Sequence, residues 1–352
     1  MAIMTSQAKL SVGIIGASGY TGHELIRILT NHPEVSLCAI SSRSYEGKKI
    51  SELYPNFRSI CDMSLTNQEE VLARADLIFA GLPHGLSEPL AHEALLQGKY
   101  FIDLGADFRL QEESHYLAYY KKNFEYKELH TKAVYGLPEL YASDIRQAKL
   151  IANPGCFPTA ATLGLYPALQ KLKLKSAEII IDAKTGTTGA GRSLSQAQHF
   201  AEHTGNFYPY SFGTHRHTPE IEEQASAFAQ EQIQVCFIPH LLPISRGILN
   251  TMYLKVGEDF SLEDLHSSYK AFYQDKHFVR VLDLDERAAI APVANSNYCD
   301  ISLHFDAHNK YLIICAAIDN MLKGSSGQAV QNMNIMMNFD ETAGLDFIPS
   351  AF

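Results

Sequence analysis

Leu10-Ser11-Val12-Gly13-Ile14-Ile15-Gly16-Ala17-Ser18-Gly19-Tyr20-Thr21-Gly22 is an apolar run that breaks into evenly spaced glycines. Leu10 to Ile15 reads as a buried strand, and Gly19 to Asn31 carries Leu25, Ile28 and Leu29 at helical spacing. Glycines at such a junction let backbone amides approach an anion, and the positive end of the helix favours its charge. The pattern Gly13-x-x-Gly16-x-x-Gly19-x-x-Gly22 therefore predicts a strand–turn–helix unit that holds a pyrophosphate.

Working outward, Pro33 closes that helix and Val35 to Ile40 forms a second strand. Ala75 to Ala80 is a strand ending in the turn Gly81-Leu82-Pro83; Pro89 to Gln97 is helical and Tyr100 to Leu104 is again a strand. Strands alternating with helices predict βαβ units and a parallel sheet through about residue 155. Beyond Gly155, strands are expected at 177–183, 234–239, 247–256, 299–306 and 311–318, with helices near 157–171, 219–232 and 261–274. Strands that follow one another across short turns such as Ala307-His308-Asn309-Lys310 predict a mixed sheet. A last helix is expected over about Gly324 to Asn338.

The 352 residues suffice for two domains. A chain that is 46% hydrophobic and 19% charged builds ordinary globular cores, which excludes disorder, collagen and coiled coil. With a net charge of −10 it should not bind nucleic acid or an anionic membrane. Anionic ligands must then be held by backbone amides and particular Arg residues. The six cysteines form no C-x-x-C pair, which excludes a zinc ribbon and a thioredoxin-type pair. No segment resembles a signal peptide or reaches the roughly 18 apolar residues of a membrane helix, so a cytoplasmic protein is expected.

Three further stretches carry chemistry. The second strand ends Ser41-Ser42-Arg43, without the acidic residue that binds an NAD ribose, so a 2′-phosphate held by Ser41 and Arg43 is expected, and with it NADP. In Asn153-Pro154-Gly155-Cys156-Phe157-Pro158-Thr159, a Pro-Gly turn sets Cys156 at a helix start, where free amides and the dipole should lower the thiol pKa. A thiolate there attacks an acyl carbon while the amides stabilise the oxyanion. In His215-Arg216-His217-Thr218-Pro219-Glu220, Thr218 is expected as N-cap with Pro219 first in the helix, and one histidine as the acid–base partner of the thiol. Neither His-x-His nor His199-Phe200-Ala201-Glu202-His203 comes with a metal-ligand set, so no metal is expected.

Together these stretches resemble the N-acetyl-γ-glutamyl-phosphate reductase family of arginine biosynthesis, within the aspartate-semialdehyde dehydrogenase-like superfamily. The resemblance runs nearly end to end, through Leu104-Gly105-Ala106-Asp107-Phe108-Arg109, Tyr135-Gly136-Leu137-Pro138-Glu139, Pro239-His240-Leu241-Leu242-Pro243, Arg246-Gly247 and Asp319-Asn320 to Asn332. It implies an α/β fold, with an N-terminal Rossmann domain with a parallel sheet and an α+β substrate and oligomerisation domain with a mixed sheet. The C-terminal helix returns to the Rossmann domain, giving boundaries of 1–155 with 319–352, and 156–318. It further implies Cys156 as nucleophile and His217 as acid–base, and Arg109, His215 and Asn153 as substrate contacts. Contacts to NADP are implied from Gly16, Ser18, Gly19, Tyr20, Thr21, Gly22, Ser41, Arg43, Pro83, Gly189 and Asn320. The expected activity is NADPH-dependent reduction of an acyl phosphate through a cysteine thioester, in a homodimer or homotetramer. Two alternatives stay open: an acyl-phosphate reductase acting on another amino-acid derivative, and a redox-sensing regulator that binds NADP without turnover.

Overall fold

Two seven-stranded sheets organise the chain in the computed structural model, which describes residues 8–350. The first contains β1 (Leu10–Ile15), β2 (Val35–Ser41), β3 (Leu65–Thr66), β4 (Leu77–Ala80), β5 (Tyr100–Asp103), β6 (Val134–Tyr135) and β7 (Leu150–Ala152). Their order is β3-β2-β1-β4-β5-β7-β6, and every pairing is parallel. Winding reverses between β1 and β4, so a crevice opens at the carboxyl ends of these two strands. The glycine turn lies in that crevice.

The second sheet contains β8 (Glu178–Thr185), β9 (Tyr208–Pro209), β10 (Gln234–Leu241), β11 (Ile248–Lys255), β12 (Val279–Val281), β13 (Cys299–Asp306) and β14 (Tyr311–Ile318). It is mixed, in the order β12-β13-β14-β11-β8-β10-β9. Burial alternates along β8, β11 and β14 with the period of a sheet covered on one side. The covered face packs on the helix Cys156–Lys171; Ile180, Tyr253 and Cys315 on the other face stay partly exposed. That helix contains Pro167, which cannot donate to the Leu163 carbonyl; the Tyr273 hydroxyl donates to it instead, at 2.6 Å.

β13 and β14 fall at the expected residues, and the other anticipated strands within two residues of their ends. β3, β6, β7, β9 and β12 were not anticipated, because two or three residues are too few for alternation to register. The last helix also differs from expectation. A π-turn over Leu322–Ser326 precedes the helix Gly327–Met336. Gly324 N–H reaches back to the Asp319 carbonyl and Ser326 N–H to that of Met321, each at 3.0 Å, while the Asp319 carboxylate takes the amides of Met321 and Leu322. Ala329, Val330 and Met333 of this helix pack with Val12, Ile14 and Leu25, so the chain end does return to the parallel sheet.

The π-turn is held by a buried ion pair. Lys323 is 0% exposed, and its ammonium donates to Glu139 Oε1 and Gln331 Oε1, both at 2.7 Å. Burial alone would raise the Glu139 pKa; Lys323 and the Gln331 amide hold it below the usual value. Lys323→Met leaves that carboxylate without its counter-charge and should cost about 3–5 kcal/mol of stability, with Lys323→Met/Glu139→Leu recovering much of the loss. Urea unfolding of the three proteins checks this; an unchanged midpoint in the single variant would contradict it.

Candidate active site

Gly16 takes a φ of +88°, and a Cβ there would run into the Gly81 carbonyl. A Cβ on Gly22 would stand 2.5 Å from Ala17 Cα. The turn after β1 is thus pressed against the turn after β4, and only glycine allows it. Gly19 caps the helix Tyr20–Leu29, so the amides of Tyr20, Thr21 and Gly22 have no partner within the helix. Ser41 is buried, and its carbonyl takes the amides of Gly16 and Ala17. Ser18 and Ser42 share a hydrogen bond of 2.7 Å between hydroxyls. Arg43 is exposed and pairs with no carboxylate among the described residues; Pro83 is exposed in the neighbouring turn. Sequence reasoning missed Arg192, which crosses from the second half of the chain, donates to the Ser18 carbonyl at 3.2 Å and stacks 4.8 Å over Tyr54. An isolated Arg in a glycine-rich loop gave no signal of this.

Cys156 is the first residue of its helix, after Gly155 in extended conformation. A Cβ on Gly155 would lie 2.6 Å from His217 Nε2 and 3.0 Å from Glu220 Oε2, so the imidazole and the carboxylate both close on the turn that carries the thiol. Gly324 closes the other side: a Cβ there would be 2.9 Å from Cys156 Cβ. Two residues on, Ser326 Oγ donates to the Thr21 carbonyl at 3.0 Å, which brings the thiol and the glycine crevice together. His215 and His217 stand edge to face at 5.0 Å, with Phe157 against both, and His215 Nδ1 accepts the His217 amide. Glu220 Oε1 accepts the Gly155 amide at 2.8 Å and the Tyr135 hydroxyl at 2.9 Å. Its other oxygen is buried without a hydrogen bond, 3.7 Å from the Arg109 guanidinium.

Several expectations change here. The histidine helix begins one residue early: His217 is the N-cap, Thr218 the first helical residue, and the Thr218 hydroxyl is buried without a partner. Glu220 then occupies the third helical position, where a Glu usually reaches back to its own cap; this one reaches across to Gly155 instead. Arg109 is a hub of the fold. Its Nε donates to the Asn153 carbonyl at 2.8 Å, one Nη to the Leu104 carbonyl at 2.9 Å, and the other faces Glu220. The Asn153 amide is also taken up, donating to the Ser325 carbonyl and accepting from Asn332. Asn320 links Thr188 to the Gly247 amide and lies 3.8 Å from a Cβ on Gly189, so those two expected residues are neighbours.

Burial, rather than the helix dipole, dominates the thiol. It pushes Cys156 up to about 11, against the lowering influence of Arg109 and of the amides at Phe157 and Cys156. Burial also moves His217 well below its usual value, with the charges of His215, Arg109 and Arg216 acting the same way, and takes His215 down to about 4. The expectation of a lowered thiol pKa beside a protonated histidine is therefore reversed: the resting pair is thiol and neutral imidazole. Tyr210, also unanticipated, lies close enough that a charge on Cys156 raises its own pKa further above the usual value. Burial raises Glu220 as well, with Arg109 opposing.

The family model for the semialdehyde dehydrogenase NAD binding domain matches residues 11–148, and that for the semialdehyde dehydrogenase dimerisation domain matches 156–320. An N-acetyl-gamma-glutamyl-phosphate reductase of Clostridium beijerinckii is 49% identical over 343 residues, which cover 97% of this chain and 100% of that one. The chain belongs to the N-acetyl-γ-glutamyl-phosphate reductase family. A reductase of that name from Brachyspira hyodysenteriae is 47% identical over 97% of this chain and 100% of its own length. Aspartate semialdehyde dehydrogenase II from Vibrio cholerae shares the fold at a TM-score of 0.71 and 16% identity, covering 94% of this chain and 99% of that one. An aspartate semialdehyde dehydrogenase with NADP from Candida albicans does so at 0.68 and 14%, covering 94% and 98%. The chain is thus an oxidoreductase of the acyl-phosphate and semialdehyde class. Among the described residues no group of His, Cys, Asp and Glu is placed to hold a metal, and no helix is long and apolar enough to cross a membrane.

In the coenzyme-free reductase, alkylation of Cys156 should be slow at neutral pH and rise about tenfold per pH unit until pH approaches the raised thiol pKa. The exposed Cys236 serves as internal reference in peptide mass analysis. A plateau near pH 6 would reveal a thiolate–imidazolium pair and contradict this electrostatic picture.

Proposed function

We propose that this site reduces N-acetyl-γ-glutamyl phosphate to N-acetyl-glutamate 5-semialdehyde and phosphate with NADPH, through a thioester on Cys156. The observation that carries the proposal is the position of Cys156 at a helix start, with a neutral His217 closed against the preceding residue. A neutral imidazole can take the thiol proton as sulfur attacks the acyl carbon, and Glu220 supplies the charge that stabilises the imidazolium so formed. The amides at the helix start hold the oxyanion in passing, then the bond between the acyl carbon and the bridging oxygen breaks and that oxygen leaves with its electron pair as part of phosphate. Once the thioester is reduced to a thiohemiacetal, collapse of its C–S bond needs a proton moved from oxygen toward sulfur, for which His217 is placed. His215 and Tyr210 line the approach to the thiol, and Arg109 keeps the Asn153–Gly155 turn in position.

The groups of the β1–β4 crevice fit NADP. The unpartnered amides of Tyr20, Thr21 and Gly22, with Gly16, Ser18 and Gly19, suit a pyrophosphate. Ser41 and the unpaired Arg43 suit a 2′-phosphate, and Pro83 with the neighbouring Gly189 and Asn320 is assigned to the nicotinamide end. The coenzyme supplies the hydride when bound. We infer a cytoplasmic enzyme with domains 1–155 plus 319–352 and 156–318, and a homodimer or homotetramer built on the open face of the second sheet around Ile180 and Tyr253.

Spectrophotometric NADP reduction with N-acetyl-glutamate semialdehyde and phosphate tests the function, with aspartate semialdehyde as control. Turnover of the first substrate alone supports it, and preference for the second would replace it. Arg43→Ala should weaken NADP binding about tenfold and leave NAD nearly unchanged, as expected for one charge-assisted phosphate contact. Equal losses for the two coenzymes, measured by titration, would remove Arg43 from the 2′-phosphate site.

A further inference from the structure

Asp103 and Asp107 are both fully buried, and both hold the turn after β4. Ser87, the first residue of the helix Ser87–Leu96, joins them. Its hydroxyl donates to Asp103 Oδ1 at 2.7 Å, and its amide to Asp107 Oδ2 at 2.8 Å. Asp107 Oδ1 takes the Gly85 amide and, at 2.8 Å, the Tyr116 hydroxyl. The two side chains therefore fix Gly85 and Ser87, and with them the segment that carries Pro83 into the coenzyme crevice. Neither aspartate enters the chemistry proposed above.

The charges around this pair do not balance. The cation that acts on Asp103 is Arg109, which also faces Glu220 at 3.7 Å and gives its other donors to carbonyls. Asp107 is met by amides and a hydroxyl, and by no ion pair among the described residues. Two buried carboxyl groups side by side without a cation between them do not both stay ionised. Asp107 accepts three donors, as an ionised carboxyl does. Asp103 Oδ1 accepts two, from Ser87 and from the Gly105 amide at 2.9 Å, but Oδ2 meets only the Asp107 amide at 3.3 Å. That oxygen has room for a proton. Burial first, and then the Asp107 charge, raise the Asp103 pKa to about 7, against Ser87, Arg109 and the Gly105 amide.

Other ionisable groups surround the cluster. Burial and Asp107 push Tyr116 up from its usual value, and burial lowers His84. Burial would raise Glu88, next to Ser87, but His130 and the amides of Tyr126 and Glu125 hold it down. Lys122 lies on the Gly85 carbonyl. Cys156 and the two site histidines are displaced from neutrality in opposite directions. Glu220 is raised too, so it is the group from which Asp103 has to be told apart.

Resting on the coenzyme site proposed above, we propose that Asp103 is a positioning residue that holds a proton while coenzyme is bound, so that coenzyme affinity falls as pH rises. As an anion it would repel Asp107 across Ser87 and loosen the turn that carries Pro83. It would also set a further negative charge behind a crevice that receives an anionic ligand. Coenzyme binding then favours the protonated acid, and up to one proton is taken up from solvent near neutral pH.

NADPH binding, titrated by fluorescence from pH 6 to pH 8.5, tests this with Asp103→Asn, whose amide stands in for the neutral acid. The coenzyme's own phosphate titrates equally against both proteins, so the ratio of their Kd values isolates Asp103. That ratio should change about tenfold across the range, the unsubstituted enzyme losing affinity at high pH, as for a pKa raised one unit by binding. Ser87→Ala removes a hydrogen bond that favours the anion, and should move the midpoint up by about one pH unit. Infrared difference spectra of the coenzyme-free proteins read the proton directly. A protonated-carboxyl band should vanish between pH 6 and pH 8.5, and be missing from Asp103→Asn. A constant Kd ratio, or a band that persists in Asp103→Asn and so belongs to Glu220, overturns the proposal. Absence of NADPH binding at every pH would instead count against the proposed function, and the infrared band would still decide whether Asp103 carries the proton.

Discussion

The carboxylate of Glu220 is the contact on which the rest of the site depends. It is buried, and it joins three parts of the chain that are distant in sequence: the Gly155 amide, the Tyr135 hydroxyl and the Arg109 guanidinium. Through Gly155 it fixes the turn before Cys156; through its own helix it fixes His217 against that turn. Arg109 in turn grips the carbonyls of Leu104 and Asn153, so the ends of β5 and β7 are set by the same charge. A buried ion pair of this kind contributes little net stability, but removing one partner strands the other and is costly. What it provides is a fixed geometry.

The second constraint is that a coenzyme crevice in one half of the chain must face a thiol in the other. Arg246, just before β11, pairs with Glu24 on the helix that starts at the glycine turn, and its other Nη lies 3.6 Å from Asp319. Burial would raise Glu24, yet the contact with His23 and the charges of Arg246 and Arg27 hold it down to about 2. Asn320 ties Thr188 to Gly247, and the π-turn sets Gly324 on Cys156 with Ser326 on Thr21. Asp319 to Ser326 is therefore the segment that brings crevice and thiol together. Its widened turn depends on the buried Lys323–Glu139 pair.

Much of this was legible in the sequence where the signal is periodic or local. The strand–glycine–helix junction at Leu10–Gly22 predicted the parallel sheet and its crevice, and two strand-like stretches separated by the short turn Ala307–Lys310 placed β13 and β14. The position of Cys156 followed from Pro154-Gly155 alone. Missing were the features that depend on long-range partners. Nothing near Arg109 indicates that two distant carbonyls and Glu220 take up its donors. A Glu at the third position of a helix reads as a local cap until the Gly155 amide is found beside it. The thiol pKa was misjudged because helix position is visible in sequence and burial is not, and burial is the larger effect.

The central claim is that sulfur of Cys156 carries the acyl group. The most direct measurement is phosphate release and peptide mass analysis after mixing enzyme with N-acetyl-γ-glutamyl phosphate in the absence of a reducible coenzyme, a non-reducing analogue filling the crevice. The account predicts a burst of phosphate close to one equivalent per site and an N-acetyl-glutamyl adduct on the Cys156 peptide, both lost in Cys156→Ser. No burst, or an adduct on another residue with Cys156 unmodified, would contradict covalent catalysis at this thiol.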